Sequence, residues 1–302
     1  MNIAENVSLK PYNTFGIDVK ARYMVTITDE DQIRQLIDSD IYKNNQSLIL
    51  GGGSNVLLTG DYEGLVIKNN IAGKEILEDT NQYVLVKFGA GENWHETVLF
   101  AVEKGWNGIE NMSLIPGTVG AAPMQNIGAY GVEIKEVFHS LEAIDLQTGE
   151  KQTFDKEQCG FGYRQSIFKT SHKNRFFITS VSLTFPKSAT INTSYGAIRQ
   201  ILDDMKVHQP TIRDVSEAVI RIRQSKLPDP SKIGNAGSFF KNPVVPMSQF
   251  VQLKEQFPDI VGYQTDLGVK VPAGWLIENA GWKGKTFDKV GVHKDQALVL
   301  VN

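Results

Sequence analysis

The sequence has a single cysteine, Cys159, among its 302 residues. One cysteine cannot form an internal disulfide, which fits a protein of the reducing cytosol. The sequence also has no apolar run near the roughly 20 residues that span a bilayer. Its first ten residues mix acidic and basic side chains and lack the apolar core of a signal peptide. We therefore predict a cytoplasmic location and no membrane insertion.

Excess charge and metal-binding patterns are missing as well. The net charge of −3 gives no reason to expect nucleic-acid binding, so a ligand phosphate would have to be bound locally. The histidines lie far apart without metal-ligand spacing, and we predict no metal site. They are His95, His139, His172, His208 and His293. The length predicts two or three domains, and the hydrophobic content of 41% is typical of a globular protein.

Small residues are concentrated in one segment, Glu110–Gly131, in which Glu110 is the only charged residue. Its glycines are Gly117, Gly120, Gly128 and Gly131. Glycine lets the backbone approach a ligand closely and adopt positive φ. We interpret the segment as a bed of backbone amides for a large, flat or anionic cofactor. An ordinary glycine-rich surface loop is the alternative.

A second glycine-rich loop follows the predicted strand Ser47–Leu50. Its residues are Gly51, Gly52, Gly53, Ser54 and Asn55. Several free amides and a hydroxyl suit a diphosphate, although no Gly-Lys-Ser/Thr follows, so this is not a P-loop. A structural hairpin is an equally good interpretation of this loop.

A third glycine cluster, Gly89-Ala90-Gly91-Glu92-Asn93-Trp94, begins like a dinucleotide-binding fingerprint. Its sixth position is Trp94 where glycine or alanine is needed, so we reject a Rossmann unit. The spacing predicts a helix over Asn93–Lys104, with one apolar face. That face comprises Trp94, Val98, Leu99 and Val102.

The rest of the chain predicts an α+β fold. Strand patterns dominate, as in the β-branched and aromatic stretch Arg175–Phe185, and a few helices cover them. Thr28 with Asp31 predicts the N-cap of a short helix. Prolines just after Lys226 predict a domain boundary.

Several stretches together resemble one family, the UDP-N-acetylenolpyruvoylglucosamine reductases, flavoenzymes of early peptidoglycan synthesis. The stretches are Asn13–Ile17, Leu50–Asn55, Ile115–Gly131, Phe161–Lys169, Lys226–Pro230, Gly234–Pro243 and Gln296–Asn302. The resemblance implies an α+β, two-subdomain FAD-binding fold of the vanillyl-alcohol-oxidase (PCMH) type, followed by a separate α+β substrate-binding domain. The implied domains are residues 1–72, 73–227 and 228–302.

The resemblance also implies the reaction. NADPH reduces FAD, and the flavin passes hydride to the enolpyruvyl double bond of UDP-N-acetyl-3-O-(1-carboxyvinyl)-glucosamine. A proton then completes UDP-N-acetylmuramate. The implied partners are the UDP-sugar and NADPH, and we expect a monomer.

Family positions imply a role for individual residues. The cofactor would lie on Gly51, Gly52, Gly53, Ser54, Asn55, Gly117, Thr118, Gly120, Ala121 and Gly128. The UDP-sugar would contact Tyr130, Tyr163, Tyr195, Lys226, Asn242 and Gln296. Arg164 would meet the charge beside the substrate carboxylate, and Ser238 would donate the proton. The alternatives are a structural salt bridge on a strand for Arg164 and a turn or cap for Ser238; for the UDP-sugar contacts the alternative is a solvated or packing role.

One departure concerns the family's glutamate, which lies in a Leu-Glu-Pro-Glu-like segment. This sequence contains no Pro-Glu dipeptide. We expect that the chain is C-terminally incomplete. A catalytically impaired flavin- or UDP-sugar-binding protein is an alternative, and an FAD-dependent oxidase of the same fold is another.

Overall fold

In the computed structural model, which describes residues 1–188 and 190–302, the chain forms two compact units. Unit 1 comprises Met1–Lys10, Asp18–Gly53 and Leu58–Arg223. Unit 2 comprises Pro11–Ile17, Ser54–Leu57 and Gln224–Asn302. The domain boundaries expected after residues 72 and 227 stay a prediction.

The first sheet of unit 1 combines antiparallel and parallel pairing. Its strands are β1 (Ile3–Ser8), β2 (Lys20–Ile27), β3 (Ser47–Leu50) and β4 (Tyr62–Asn69). They lie in the order β1-β2-β4-β3, and β4 runs parallel to both β2 and β3. Because β3 and β4 are parallel, the hairpin interpretation of the loop after β3 is wrong. That loop instead starts a crossover between parallel strands.

The helices of unit 1 connect or cover its strands. They are α1 (Glu30–Asp38), α2 (Asp40–Asn44), α3 (Trp94–Glu103), α4 (Gly196–Asp204) and α5 (Ile212–Lys226), whose last three residues are assigned to unit 2. The expected N-cap of α1 is wrong, because Asp29 rather than Thr28 accepts the amide of Gln32, at 2.9 Å. In α3, Trp94 and Val98 are buried as predicted, whereas Leu99 is 37% exposed.

A second, antiparallel sheet forms the centre of unit 1. The remaining strands are β5 (Lys74–Asp79), β6 (Tyr83–Gly89), β7 (Gly128–Ala129), β8 (Val132–Glu133), β9 (Phe138–Asp145), β10 (Lys151–Asp155) and β11 (Phe176–Pro186). Five of them form the sheet β10-β9-β11-β6-β5, and β7 pairs with β8. Phe177 packs into one hydrophobic core while Ile178 packs into another. The sheet is therefore buried on both faces, which explains why β11 is apolar almost throughout.

Unit 2 is a smaller α+β unit. Its elements are β12 (Asn235–Ser238), β13 (Val244–Val245), α6 (Met247–Gln256), β14 (Tyr263–Thr265), β15 (Gly268–Lys270), α7 (Ala273–Asn279), β16 (Thr286–Phe287), β17 (Val290–Val292) and β18 (Val299–Val301). They build the sheets β12-β18-β17-β16 and β13-β15-β14. The amide of Asn235 bonds to Thr14 O at 2.9 Å, and Asn302 Nδ2 bonds to Phe15 O at 2.8 Å. These bonds attach the segment Pro11–Ile17 to unit 2.

Two negative findings concern the described residues, 1–188 and 190–302. No helix among them has the length and apolar character needed to cross a membrane. They also contain no group of three or more His, Cys, Asp or Glu side chains placed to hold a metal ion.

Candidate active site

Two glycine loops of unit 1 meet at close range. A Cβ added to Gly52 would lie 2.8 Å from Gly117 Cα, and one added to Gly51 would lie 2.7 Å from Thr118 Oγ1. Gly117 itself has φ +116°, a conformation that side chains rarely adopt. We call Gly51–Gly53 together with Gly117–Gly120 the glycine cradle. Its backbone surfaces can approach each other and a ligand only because side chains are missing there.

The 117–120 loop is fixed from behind by the loop that precedes α3. The amide of Trp94 donates to Gly117 O at 3.1 Å, and the amide of Val119 donates to Glu92 O at 2.9 Å. These two bonds flank a bridge between Asn93 and Thr118. In this type of bridge the Thr118 N–H points away from Asn93, so it remains free to donate elsewhere.

Close packing also holds the end of the cradle. Gly120 donates its amide to Ala90 O at 2.8 Å, and a Cβ on Gly120 would lie 2.5 Å from Ala90 Cβ. Ala121 follows in a short 3-10 turn, Val119–Ala121. Gly128 lies in β7 opposite Glu133, and its added Cβ would lie 2.5 Å from Val132 O. Gly120 and Gly128 are therefore needed for packing, whatever ligand the cradle holds.

A lysine that the sequence analysis missed supports the cradle. Lys68 lies in β4 opposite Leu50, and its Nζ donates to Gly51 O at 2.5 Å. Burial lowers the pKa of Lys68 below its ordinary value. The sequence did contain a signal for this role, because Lys68 ends the otherwise apolar run Leu65–Lys68. The cradle is thus not as uncharged as its own sequence predicted.

These residues fit a cofactor that carries a diphosphate. The backbone N–H of Thr118, which is not used in the bridge to Asn93, the Cβ-free surface and one nearby ammonium are groups that bind such an anion without a dedicated metal. Ser54 and Asn55, predicted for the same role, are assigned to unit 2. Their contribution to cofactor binding stays a prediction.

Arg164 lies at the tip of a tight turn rather than on a strand. Gly162 and Gln165 exchange backbone hydrogen bonds of 3.0 and 3.3 Å, with Tyr163 and Arg164 between them. Arg164 has φ +55°, and its Nη2 donates to Gly128 O at 3.2 Å. The ion pairs of the described residues do not include Arg164. The alternative of a structural salt bridge on a strand is therefore wrong.

Tyr130 and Tyr195 form an aromatic pair in the same unit. Their rings meet edge to face, with centroids 5.1 Å apart, and Tyr195 is 49% exposed at the start of α4. The Tyr130 hydroxyl is hydrogen-bonded to Arg223, and burial raises the pKa of Tyr130. Arg223 carries no motif and was missed by the sequence analysis. We call Arg164, Arg223, Tyr130 and Tyr195 the arginine corner.

The predicted residues of unit 2 lie at the ends of its elements. Ser238 is exposed at the end of β12, opposite Val299. Asn242 Oδ1 accepts the amide of Ala273 at 2.9 Å, which leaves the Asn242 amino group for a ligand. Lys226 is exposed at the end of α5. The Gln296 carbonyl accepts the amide of Val299 at 3.0 Å, as part of the turn before β18.

Comparison with known proteins defines the class first. The family described as FAD binding domain matches residues 21–155, which lie in unit 1 apart from 54–57. The family described as UDP-N-acetylenolpyruvoylglucosamine reductase, C-terminal domain, matches residues 229–302 of unit 2. The chain is thus a protein with an FAD-binding domain followed by a separate α+β domain.

The curated relatives give the particular family. The chain is 51% identical over 304 residues to UDP-N-acetylenolpyruvoylglucosamine reductase of Flavobacterium johnsoniae, covering 100% of the chain and 90% of the relative. It is 50% identical over 303 residues to the Pseudomonas aeruginosa enzyme, covering 100% and 89%. The chain belongs to the UDP-N-acetylenolpyruvoylglucosamine reductase family. This confirms the resemblance found in the sequence.

A solved structure supports the fold. The crystal structure of UDP-N-acetylenolpyruvylglucosamine reductase from Thermus caldophilus matches with a TM-score of 0.67 at 24% identity, covering 100% of this chain and 88% of that one. The predicted α+β architecture, with an FAD-binding part followed by a second domain, is confirmed. The site residues are not tested by this similarity, and their roles are proposals.

Proposed function

We propose that the chain reduces UDP-N-acetyl-3-O-(1-carboxyvinyl)-glucosamine to UDP-N-acetylmuramate, with FAD as cofactor and NADPH as reductant. The observation that carries this proposal is the identity of about half of all residues with curated reductases over the whole chain. The glycine cradle supports it, because its geometry suits the diphosphate of FAD. We further propose that the enzyme acts in the cytoplasm as a monomer.

The chemistry that bound FAD supplies is hydride transfer, from NADPH to the β carbon of the enolpyruvyl group. Negative charge then develops beside the substrate carboxylate, and the protein must stabilise it. Arg164 is suited to this role because its guanidinium stays protonated and can bind a carboxylate with two parallel hydrogen bonds. Its existing bond to a carbonyl leaves other guanidinium N–H groups for a ligand.

Protonation of the α carbon completes the reaction. We assign this step to Ser238, the last residue of β12, which is exposed to solvent. The adjacent Gly237 has φ +67° and donates its amide to Asn235 Oδ1 at 3.0 Å. This bond fixes the turn that presents the Ser238 hydroxyl. A serine is a weak acid, so donation depends on charge that develops on the substrate.

We propose that a set of polar residues binds the UDP-sugar. They are Tyr130, Tyr163, Tyr195, Lys226, Asn242 and Gln296. Lys226 supplies a mobile positive charge for a diphosphate, and Asn242 supplies the amino group that Ala273 leaves unused. The exposed faces of Tyr163 and Tyr195 supply apolar surface with a hydroxyl at one end.

Two half-reactions test the proposal. Purified protein should be yellow, and NADPH should bleach the flavin in the absence of oxygen. Addition of the enolpyruvyl sugar nucleotide should restore the absorbance and yield one UDP-N-acetylmuramate per flavin. Reoxidation by oxygen but not by that substrate would instead indicate an oxidase. A protein that binds the substrate without turnover would contradict the proposed activity and keep the binding role.

Replacement of Ser238 separates the two half-reactions. In Ser238→Ala, flavin reduction by NADPH should be unchanged, while reoxidation by the substrate slows by about 100- to 10,000-fold, the usual contribution of a general acid. Ser248→Ala, on the exposed face of α6, is the matched control and should leave both steps unchanged. Equal losses in both half-reactions would contradict the role of Ser238.

A further inference from the structure

Arg223 occupies a central position in the arginine corner. It extends from α5, and its Nε donates to Leu114 O at 3.2 Å. Its side chain also hydrogen-bonds to the Tyr130 hydroxyl, and it lies close enough to Arg164 for the two positive charges to repel. Arg223 thereby connects two loops, one carrying Leu114 and one carrying Tyr130, to the guanidinium proposed to meet the substrate.

Within residues 1–188 and 190–302, no carboxylate forms an ion pair with Arg164 or Arg223. Arg221, two residues earlier on the same helix, is by contrast paired with Glu217. Burial lowers the pKa of Arg223, because the charged form loses solvation. Arg164 is exposed to solvent, so the cost of the two like charges falls mainly on the partly buried Arg223 guanidinium, and a bound anion would offset that cost.

The backbone around Arg223 is strained. Leu114 has φ +60° and Tyr130 has φ +51°, although neither residue type favours this region. Asn111 Nδ2 supports the Tyr130 loop through a bond of 3.3 Å to Tyr130 O and also bonds to Asn192 O at 2.9 Å. Such strain persists where the surroundings enforce it, most often at functional sites.

The hydrogen-bond direction at Tyr130 determines what the hydroxyl can do. Arg223 has no acceptor, so its N–H must donate to Tyr130 Oη. The Tyr130 proton therefore points away from Arg223 and is polarised by the adjacent positive charge. A hydroxyl in this state is a good donor to an anionic oxygen.

We propose that Arg223 is a positioning residue of the reductase site, which orients the Tyr130 hydroxyl and, with Arg164, creates the positive potential that binds the enolpyruvyl carboxylate. This inference rests on the proposed function. It assigns the carboxylate, rather than the diphosphate of the UDP-sugar, as the anion that the arginine corner recognises.

Two ligands distinguish binding of the carboxylate from binding of the diphosphate. UDP-N-acetylglucosamine carries the diphosphate alone, whereas the enolpyruvyl substrate carries the carboxylate as well. Binding to the oxidised, FAD-loaded protein is measured by calorimetry. Arg223→Gln should weaken binding of the substrate by about 10- to 100-fold, the usual loss for hydrogen bonds to a charged group, and change binding of UDP-N-acetylglucosamine little. Equal losses for both ligands, or no loss, would overturn the proposal.

Three further variants control for folding. Arg221→Gln removes an exposed arginine from the same helix and should leave both affinities unchanged. Arg223→Lys keeps the charge and should restore part of the substrate affinity. Tyr130→Phe should weaken substrate binding and change UDP-N-acetylglucosamine binding little. If Tyr130 and Arg223 act as a unit, the double variant should lose no more substrate affinity than Arg223→Gln alone. FAD content and the thermal midpoint of each variant show whether it folds.

If Arg223→Gln does not fold, Arg223→Lys and Tyr130→Phe decide, and an unchanged substrate affinity in both would overturn the inference. Wild-type protein that fails to bind the enolpyruvyl ligand would contradict the proposed function itself. Wild-type binding with unaffected variants would contradict only the role of Arg223.

Discussion

The glycine cradle and the arginine corner are two regions of unit 1 that suit anions, and they do so by opposite means. The cradle presents main chain at positions where an added Cβ would clash, with Gly52 against Gly117. The corner presents two full positive charges on long side chains, Arg164 and Arg223. Among the described residues, neither of them forms an ion pair with a carboxylate. The first depends on shape and the second on charge.

The difference determines which substitutions matter. Backbone N–H groups carry no net charge and remain after most side-chain substitutions, so the cradle is sensitive mainly to added volume. Guanidinium groups are costly to bury, and a substitution that removes their charge removes the attraction for an anion. The cradle therefore suits a cofactor that stays bound, and the corner suits a substrate that must be exchanged.

The largest effect that would test this comparison is expected in the cradle. Gly52→Ala adds a Cβ at 2.8 Å from Gly117 Cα, a backbone atom that cannot turn aside. Overpacking of this kind costs about 1–3 kcal/mol, and the loops must separate to relieve it. We expect FAD affinity to fall by about 100-fold, measured by flavin fluorescence quenching on the apoprotein.

A second glycine provides the control for that substitution. Gly60→Ala adds a Cβ with no heavy atom within 4 Å, so FAD affinity should be unchanged. If Gly52→Ala bound FAD as tightly as Gly60→Ala, the cradle would not depend on shape. The contrast with the arginine corner would then be wrong.

The sequence predicted the cradle better than the corner for a physical reason. Glycine in the Gly51–Gly53 loop is informative by itself, because few residue types tolerate close approach of backbone. Its contact with Gly117 needed the parallel pairing of β3 and β4, which residue types alone do not specify. Arg223 gave no signal, since its significance comes from a bond to Tyr130, which lies far from it in the chain.

In the helices, too, the sequence predicted local features but not those that depend on contacts with the rest of the chain. The helix predicted over Asn93–Lys104 is observed as α3 over Trp94–Glu103, because local spacing determines a helix with one apolar face. Leu99 was wrongly expected to be buried, since its exposure depends on what α3 packs against. Asp29 was missed as an N-cap because Thr28 next to it is an equally good candidate in sequence.

A further charged cluster in unit 1, centred on Glu142, differs from the arginine corner because its charges are paired. Glu142 accepts from Ser180 Oγ at 2.9 Å and from Lys151 Nζ at 3.1 Å, and it also bonds to Lys87. Burial alone would raise the pKa of Glu142, but these partners lower it to about 2. Unlike the corner, this cluster should stabilise the protein without any ligand.

The sign of the pH dependence follows from that lowered pKa. Stability from Glu142 is present above the ordinary glutamate pKa of about 4.3 and is lost as the pH falls towards 2. Glu142→Gln should therefore reduce the free energy of unfolding by about 2 kcal/mol at pH 7 and by about half as much at pH 3. Urea denaturation at both pH values measures this, with exposed Glu5→Gln as the control. A loss that did not depend on pH would show that the pairs contribute little.

The smallest expected effect concerns Lys68, which adds a side-chain charge to the backbone surface of the cradle. Its ammonium lies beneath the cradle, 2.5 Å from Gly51 O, and adds charge to a site that otherwise uses shape. An ion pair between this partly buried ammonium and a bound diphosphate would contribute on the order of 1 kcal/mol. Lys68→Met should therefore weaken FAD binding about fivefold, and the difference from wild type should shrink at high salt.

The matched control and the stability of the apoprotein make this test specific. Lys173→Met removes an exposed lysine and should leave FAD affinity unchanged at every salt concentration. Because burial lowers the pKa of Lys68, its protonated form is disfavoured by folding, so Lys68→Met should not destabilise the apoprotein by more than about 1 kcal/mol. A large loss of apoprotein stability would indicate that Lys68 only stabilises the Gly51 loop, through its bond to Gly51 O. Weaker FAD binding with unchanged stability would mean that even the shape-based cradle uses one buried charge.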